Sequence, residues 1–174
     1  MRIRPASLDD AERLAFVHVK SWQDAYRGLL PQDYLDALAP EQRVEPWRRT
    51  VDGCDWPRRG VLVAEEIDVV GFAYLEPARD AASVYVGEIS SMYVLPTNWG
   101  TGVGRRLMAA ARASLWSAGC TEAWLWVLDT NARAIRFYES DGWRADGATK
   151  AARIGGVPIT EVRYRCELGS PSGP

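Results

Sequence analysis

The sequence predicts a mixed α/β fold in which a central, mostly antiparallel sheet is flanked by helices. Short segments with the apolar patterns of strands are separated by longer segments with helical spacing of apolar residues. The early strands follow one another directly, which suits antiparallel pairing, whereas a helix between two later strands suits a right-handed parallel crossover. The chain has 174 residues, 47% of them hydrophobic, enough for one domain with its own core.

The N-terminal part predicts an edge strand and two helical regions. Alternation over residues 2–6 is typical of a strand at the edge of a sheet. Ser7 can then cap a helix that runs to about Tyr26. A second helical region is expected over residues 32–49, with an interruption near Pro46 because proline lacks the N–H that a helix interior needs.

The middle of the chain predicts four strands and a helix. Two apolar segments joined by a short turn, residues 61–65 and 69–75, predict a hairpin. The longest strand candidate, residues 84–95, leads directly into a glycine-rich loop. A helix with one apolar face is expected over residues 103–118. The next strand, residues 122–128, is continuously apolar, which is typical of a strand buried on both faces.

The C-terminal part predicts a short helix and a final hairpin. Helix 132–140 follows an Asp-Thr-Asn sequence that can cap it. A glycine-rich turn over residues 153–158 precedes a last strand over residues 159–168. The domain is therefore expected to cover residues 1–168, and the Gly, Ser and Pro residues at 169–174 predict a disordered tail.

The composition argues against several classes of function. The formal net charge is −2, so neither nucleic acid nor a membrane surface is an expected partner. No apolar run approaches the roughly 20 residues of a spanning helix, and the N-terminus lacks an apolar signal segment. The three cysteines are isolated and His18 is the only histidine, so no metal site or disulfide framework is indicated. A reducing cytoplasm is the expected location.

The glycine-rich loop is the first candidate site. Gly100, Gly102 and Gly104 leave its backbone amides uncovered by side chains. The start of the following helix adds unpaired N–H groups and about half a positive charge. Strand, loop and helix together therefore favour binding of a phosphate. The glycine spacing fits neither a nucleoside-triphosphate loop nor a dinucleotide loop, and an ordinary tight turn is the competing interpretation.

Two motifs together resemble the GNAT superfamily of N-acetyltransferases. Residues 99–104, Trp-Gly-Thr-Gly-Val-Gly, are similar to the family's pyrophosphate loop after strand four, Gln/Arg-x-x-Gly-x-Gly/Ala. Trp99 departs from that pattern. Residues 131–143 resemble the second family motif, in which an Asn after an apolar strand is followed by Ala, an aromatic-Tyr pair and a Gly-aromatic pair. The resemblance extends over residues 3–168.

The resemblance implies acetyl-CoA as the donor and an amine as the usual acceptor. In the family, strands four and five splay apart, and the pantetheine arm pairs with strand four like an added strand. Carried over, the strand-four backbone groups would come from Met92, Tyr93 and Val94. The diphosphate would lie against Gly100, Thr101, Gly102, Val103, Gly104 and Arg105. Asn131 would bond the pantetheine amide, although capping its own helix is the competing interpretation.

The resemblance also suggests the catalytic residues. Tyr138 occupies the family's usual acid position, where it would donate to the departing thiolate; proton transfer between the unperturbed groups is uphill by roughly 2 kcal/mol. The competing role for Tyr138 is packing on the buried face of its helix. Glu88 is the candidate base, and an exposed strand carboxylate is its competing role. Alternation places Glu88 and Ser90 on one strand face and Ser91 on the other.

The acceptor is expected over the first two helices, where Trp22 and Tyr26 lie among several aromatic residues. His18 lies on the same apolar stripe, and packing is preferred there over a role as base. A CoA-binding sensor without activity and a protein N-terminal or lysine acetyltransferase are the alternative functions. The sequence does not specify the acceptor amine, the length of the acyl group or the oligomeric state, and it allows a homodimer.

Overall fold

The structure is a computed structural model that describes residues 1–79 and 81–169. Within them, seven strands form one sheet in the order β1-β2-β3-β4-β5-β7-β6. The strands are β1 (Arg2–Pro5), β2 (Gly60–Glu65), β3 (Val69–Pro77), β4 (Val86–Val94), β5 (Glu122–Leu128), β6 (Arg144–Ile154) and β7 (Val157–Glu167). The helices are α1 (Ala11–Ala25), α2 (Gln32–Asp36), α3 (Glu41–Asp52), α4 (Val103–Ser117) and α5 (Ala132–Ser140). The predicted fold class and order of elements are confirmed. Residues 170–174 of the predicted tail lie outside the described residues.

The sheet opens between β4 and β5. These two strands run parallel and pair only near their beginnings, where Val86, Gly87 and Glu88 face residues 122–124. β5 then follows β7, with which it pairs antiparallel along its whole length, whereas β4 follows β3. The two strands therefore diverge, and the second half of β4 has one edge without a neighbouring strand. The predicted splay is confirmed.

Helices cover both faces of the sheet around this opening. On one face, His18 of α1 and Trp47 of α3 contact Phe72 of β3 at ring distances of 6.0 and 4.7 Å. We call this the α1/α3 face. On the other face, α4 packs so closely that a Cβ on Gly87 would lie 2.5 Å from the side chain of Leu115. A Cβ at this point of β4 would displace the Leu115 side chain, so glycine lets the helix pack close to the sheet.

One extra residue in β4 changes which side chains share the α1/α3 face. Ser90 has no partner in β3, and the next residue, Ser91, pairs with Tyr74. Such a bulge resets the alternation of side chains. Ser90 donates to the carboxylate of Glu76 at 2.5 Å, and Tyr74 donates to the same carboxylate at 3.3 Å. Ser90 and Ser91 therefore lie on one face with Glu88, and the prediction that Ser91 points away is wrong.

Helix α3 continues through Pro46 without the predicted interruption. Proline removes one backbone hydrogen bond from a helix interior. Trp47 and Val51, however, are buried in the core on either side of the next turn, and their burial holds the helical backbone in place. The prediction was wrong because it weighed a local backbone preference without the tertiary packing.

Strand β5 is buried on one face only, contrary to the prediction. Its burial alternates, with Leu125 in the core and Trp124 and Trp126 half-buried on the opposite face. Arg163 lies 3.8 Å from the ring centre of Trp124, and Lys150 lies 4.3 Å from that of Trp126. Cationic side chains cover the indoles here, so the continuous run of apolar residues in β5 is not buried on both faces.

Within the described part of the chain, no helix is long and apolar enough to cross a membrane.

Candidate active site

The opening between β4 and β5 forms a cleft of about 520 Å³. Its walls come from α1, β4, the glycine loop, the start of α4 and α5. The residues that line it are Ser21, Ala25, Met92, Tyr93, Val94, Asn98, Trp99, Gly100, Gly102, Gly104, Arg105, Arg133, Ala134, Phe137 and Tyr138. The structure thus brings most of the predicted cofactor-binding residues and Tyr138 into one cavity. The predicted residues outside this lining are Trp22, Tyr26, Glu88, Thr101, Val103 and Asn131.

The glycine loop closes one end of the cleft with exposed backbone. Gly100 and Gly102 have left-handed φ angles of 77° and 91°, which residues with a Cβ adopt only with strain. Gly102 is the N-cap of α4. A Cβ on Gly104 would lie 3.4 Å from Phe137 and 3.7 Å from Met92, so α4, α5 and β4 meet at this glycine. The bare helix start therefore faces the cavity.

The cleft is electropositive. Neither α4 nor α5 has an acidic residue in its first turn. The lining includes Arg105 and Arg133 and no carboxylate. Two helix N-termini and two guanidinium groups thus surround a cavity without a compensating negative charge. Such an arrangement favours an anionic ligand.

The open edge of β4 presents the backbone of alternate residues. The N–H of Leu95 donates to Val70 of β3 at 2.8 Å. The C=O of Val94 points the other way and accepts from the indole N–H of Trp99 at 2.7 Å. Because backbone groups alternate along a strand, Met92 also directs its backbone to the cleft, whereas Tyr93 directs its backbone to β3. Tyr93 therefore reaches the cleft with its side chain, which corrects its predicted backbone role.

Three other predicted cofactor residues have structural partners. The Thr101 hydroxyl donates to the C=O of Asn98 at 2.8 Å. Val103 is buried in the core. Asn131 caps α5, since its Oδ1 accepts from the N–H of Ala134 at 3.1 Å, as the competing interpretation held. The cap uses the Asn131 oxygen and not its Nδ2 donor. The predicted contact of Asn131 with a ligand amide therefore stays a prediction.

Three tyrosines meet at the inner end of the cleft. The hydroxyls of Tyr26 and Tyr93 lie 3.3 Å apart. Burial, and to a lesser extent the proximity of Tyr26, raises the pKa of Tyr138. Burial also raises the pKa of Tyr93, to which Tyr26 and Tyr138 contribute. All three phenols therefore stay protonated at neutral pH, and Tyr138 keeps a proton to donate where it lines the cavity.

Glu88 lies where the cleft begins. It is the last residue of β4 that pairs with β5 and faces Trp124 there. On its other side it faces Glu76 of β3. Burial acts to raise the pKa of Glu76, but hydrogen bonds from Ser90 and Arg79 outweigh that effect, and its pKa is lowered. Glu88 thus stands beside a fixed carboxylate on the α1/α3 face.

Trp22 and Tyr26 belong to a second apolar cluster. Both pack against a cluster that contains Leu30, which lies between α1 and α2, Leu35 of α2, and Leu128 and Ile159 of the sheet. The turn between β6 and β7 lies against α2, where a Cβ on Gly155 would be 2.7 Å from Tyr34. The cluster therefore lies beside Tyr93 without lining the cleft, and the acceptor role of Trp22 and Tyr26 stays a prediction.

His18 packs among aromatic rings, as expected. Its ring stacks on Tyr93 at 5.4 Å and 15°, and the Trp47 indole N–H donates to its Nδ1 at 3.2 Å. Burial, with a smaller effect of Arg43, lowers the pKa of His18 to about 4. The imidazole is therefore neutral above that pH, and its Nδ1 is already used as an acceptor.

We expect His18 to make folding less stable in acid. The unfolded chain binds a proton at His18 below pH 6.5, whereas the folded chain does so only below about pH 4. The free energy of unfolding should therefore fall by about 3 kcal/mol as the pH drops through this window. Urea unfolding of wild type and His18→Gln at several pH values measures it. The variant should lack this slope between pH 6.5 and 5, where carboxylates contribute little; equal slopes would contradict the prediction.

Several residues of the cleft were not predicted from the sequence. Ser21 and Ala25 of α1 lie one turn apart and line the cavity, yet small residues on a helix carry no motif. Ser21 is buried and its hydroxyl has no hydrogen-bond partner within the described residues. Arg133 lies inside the second family motif, but no role was predicted for it. Its position two residues after the helix cap was the available signal.

A mixed sheet that opens beside a glycine loop and a helix N-terminus, with a tyrosine in the cleft, agrees with the acetyltransferase class that the two sequence motifs predict. The sequence profile of the Acetyltransferase (GNAT) family matches residues 19–143. The chain belongs to this family, and it is an acetyltransferase.

Individual relatives agree with this assignment. YuaI of Bacillus subtilis, an uncharacterized N-acetyltransferase, is 33% identical over 162 residues, which cover 92% of this chain and 89% of the relative. An uncharacterized N-acetyltransferase of Archaeoglobus fulgidus is 36% identical over 149 residues, which cover 83% of this chain and 93% of the relative.

Among solved structures, the PaiA N-acetyltransferase of Thermoplasma acidophilum, in complex with coenzyme A, matches with a TM-score of 0.74 at 20% identity. The match covers 95% of this chain and 98% of that chain. Salmonella typhimurium yncA, solved with its cofactor acetyl-CoA, matches with a TM-score of 0.72 at 21% identity. The match covers 100% of this chain and 97% of that chain.

Proposed function

We propose that this protein moves an acetyl group from acetyl-CoA to a primary amine of a small molecule or peptide, by direct attack in a ternary complex. The observation that carries the proposal is the electropositive cleft, which is lined by both the start of α4 and Tyr138. The helix start suits the diphosphate of coenzyme A, and Tyr138 suits chemistry at its sulfur.

The residues of the cleft fit this donor. The bare amides around Gly102 and the absence of carboxylates from the described lining suit a diphosphate. The open backbone of Met92 suits the amides of a pantetheine arm, which would pair with β4 as an added strand. Acetyl-CoA, when bound, supplies the acetyl group as a thioester that an amine can attack.

Tyr138 is the proposed acid. Its hydroxyl lies in a buried environment that keeps it protonated, and it donates a hydrogen bond to the departing sulfur. Because burial raises the pKa of Tyr138, complete proton transfer is more uphill than the roughly 2 kcal/mol of the unperturbed groups. A strong hydrogen bond is therefore its proposed contribution, and the backbone N–H of Met92 is the proposed donor to the acetyl oxygen.

Glu88 is the proposed base. An alkyl amine has a pKa near ~10, so only about one molecule in a thousand is neutral at pH 7, and a proton acceptor is needed. Glu88, Ser90, Ser91 and Tyr93 share the α1/α3 face along β4. This polar row leads from Glu88 toward the tyrosines at the inner end of the cleft. Glu88 takes the amine proton directly or through water held along that row.

The acceptor is proposed to approach from the α1/α3 face, beside Trp22 and Tyr26. The aromatic cluster there suits an acceptor with a flat or apolar part. An N-terminal or lysine residue of a protein is the alternative acceptor.

All three cysteines are free thiols, which supports a reducing cytoplasm as the location.

Calorimetry and thiol release test the proposal. Titration of the protein with coenzyme A should give heat and a single site. A panel of small amines and peptide amines, incubated with acetyl-CoA, should then contain members that speed release of coenzyme A thiol. Absence of heat would refute the donor assignment. Heat with no release across the panel would instead favour the alternative function, a CoA-binding sensor.

A further inference from the structure

Trp99 and Arg133 form a contact across the mouth of the cleft. Trp99 lies in the glycine loop, where the family pattern has Gln or Arg, and Arg133 lies in the first turn of α5. The guanidinium carbon of Arg133 lies 3.1 Å from the centre of the Trp99 ring. The indole is itself fixed, because its N–H donates to the C=O of Val94 at 2.7 Å. The loop thus holds an arginine that another element supplies.

The position of Arg133 is electrostatically unfavourable without an anion. A cation in the first turn of a helix opposes the positive end of the helix dipole. Arg133 is exposed, and no described carboxylate forms an ion pair with it. Partial desolvation of its guanidinium lowers its pKa. Arg105 and the start of α4 line the same cavity, which adds further positive charge. Arg133 is therefore placed where a negatively charged ligand relieves several repulsions at once.

The stacked geometry leaves the donors of Arg133 available. An indole covers the flat face of a guanidinium, whereas the N–H groups lie along its edge. The edge can then offer two parallel hydrogen bonds to a phosphate, which a lysine cannot reproduce. Trp99 therefore serves as a shelf that fixes the direction of the Arg133 donors before any ligand arrives.

We propose that Arg133, positioned on Trp99, binds a phosphate of coenzyme A and supplies from α5 a polar side chain next to a loop position that holds Trp99. The proposal rests on the proposed function, since it assumes coenzyme A in this cleft. Arg133 is a binding residue and Trp99 is a positioning residue for it.

Calorimetry with coenzyme A tests the role of Arg133. Arg133→Gln should weaken coenzyme A binding between about 10-fold and 100-fold, the range for a lost hydrogen bond to a charged group. Binding of pantetheine, which lacks the phosphates, should stay within about 2-fold. Arg136→Gln removes the same charge from a position of the same helix that does not line the cleft and should change coenzyme A binding by no more than about 2-fold. Melting temperatures of all variants check that they fold.

Further probes identify the phosphate and test the shelf. If Arg133 contacts the diphosphate, its substitution weakens 3′-dephospho-coenzyme A as much as coenzyme A; if it contacts the 3′-phosphate, the effect disappears with the dephospho compound. Arg133→Lys should recover only part of the affinity. In a Trp99→Leu background, Arg133→Gln should cost less than in the wild type, because the shelf is already gone.

Two results would overturn the inference. Wild-type affinity of Arg133→Gln for coenzyme A would show that Arg133 is not used, while the proposed function would remain. An equal loss for pantetheine would show that Arg133 acts through the shape of the cleft instead of through a phosphate. Failure of the wild-type protein itself to bind coenzyme A would instead refute the proposed function.

Discussion

Tyr138→Phe is expected to lower the turnover number by about 100-fold or more and to leave coenzyme A affinity within about 2-fold. Loss of a hydrogen-bond donor to charge that develops in the transition state costs about 10²-fold to 10³-fold in rate. Only the hydroxyl is removed, because the ring keeps its contacts with Phe137, Trp143 and Tyr164 at 5.5 to 6.4 Å. Thiol release with saturating acetyl-CoA measures turnover, and calorimetry measures affinity.

Tyr164→Phe is the matched control. Tyr164 lies beside Tyr138, but its hydroxyl donates to Glu139 at 3.0 Å and it does not line the cleft. Removing this hydroxyl should leave turnover within about 3-fold. Because the pKa of Tyr138 is raised, the alkaline limb of the pH–rate profile should not come from this residue below about pH 10. Equal turnover of Tyr138→Phe and wild type would show that Tyr138 only packs.

Gly104→Asp is expected to weaken coenzyme A binding by about 100-fold or more while the protein stays folded. Gly104 is the second residue of α4 and lines the cleft. A carboxylate about 5 Å from a diphosphate charge costs about 3 kcal/mol at an effective dielectric constant of 20. The same carboxylate suits the positive end of a helix, and aspartate is a better helix former than glycine. The free energy of unfolding should therefore change by no more than about 1 kcal/mol.

Gly104→Asn separates charge from size. Asparagine has nearly the volume of aspartate and no charge. The affinity of the Gly104→Asn variant for coenzyme A should therefore stay within about 10-fold of the wild type. A Cβ at residue 104 meets Phe137 and Met92 at ordinary contact distances, so neither variant needs large repacking. Urea unfolding and calorimetry on both variants measure the two quantities. Equal losses for Asp and Asn would show that bulk, and not charge, closes the site.

Much of the cleft could be predicted because its parts are local in sequence. The strand, the glycines and the helix start lie within residues 86–105, and each has a signal that depends only on neighbouring residues: alternation, glycine spacing and the start of a helical period. The cap at Asn131 and the position of Tyr138 follow from the second motif in the same way. The family resemblance then predicted that the two segments belong to one cofactor site.

The prediction failed where distant contacts or the backbone register decide the outcome. The bulge at Ser90 comes from the pairing of β4 with β3, which the alternation of β4 alone does not contain. Pro46 stays within α3 because buried neighbours outweigh its lost hydrogen bond. Trp124 and Trp126 are covered by cations from β6 and β7, which lie far along the chain.

The sequence by itself determined the order of the elements, the glycine loop before α4 and the family to which the protein belongs, because these depend on short-range patterns. Only the tertiary structure decided that Met92 and not Tyr93 offers its backbone to the cleft, that Ser21 reaches it from α1, and that Trp99 holds Arg133. These contacts join residues far apart in sequence, and their formation depends on how the sheet divides between β4 and β5.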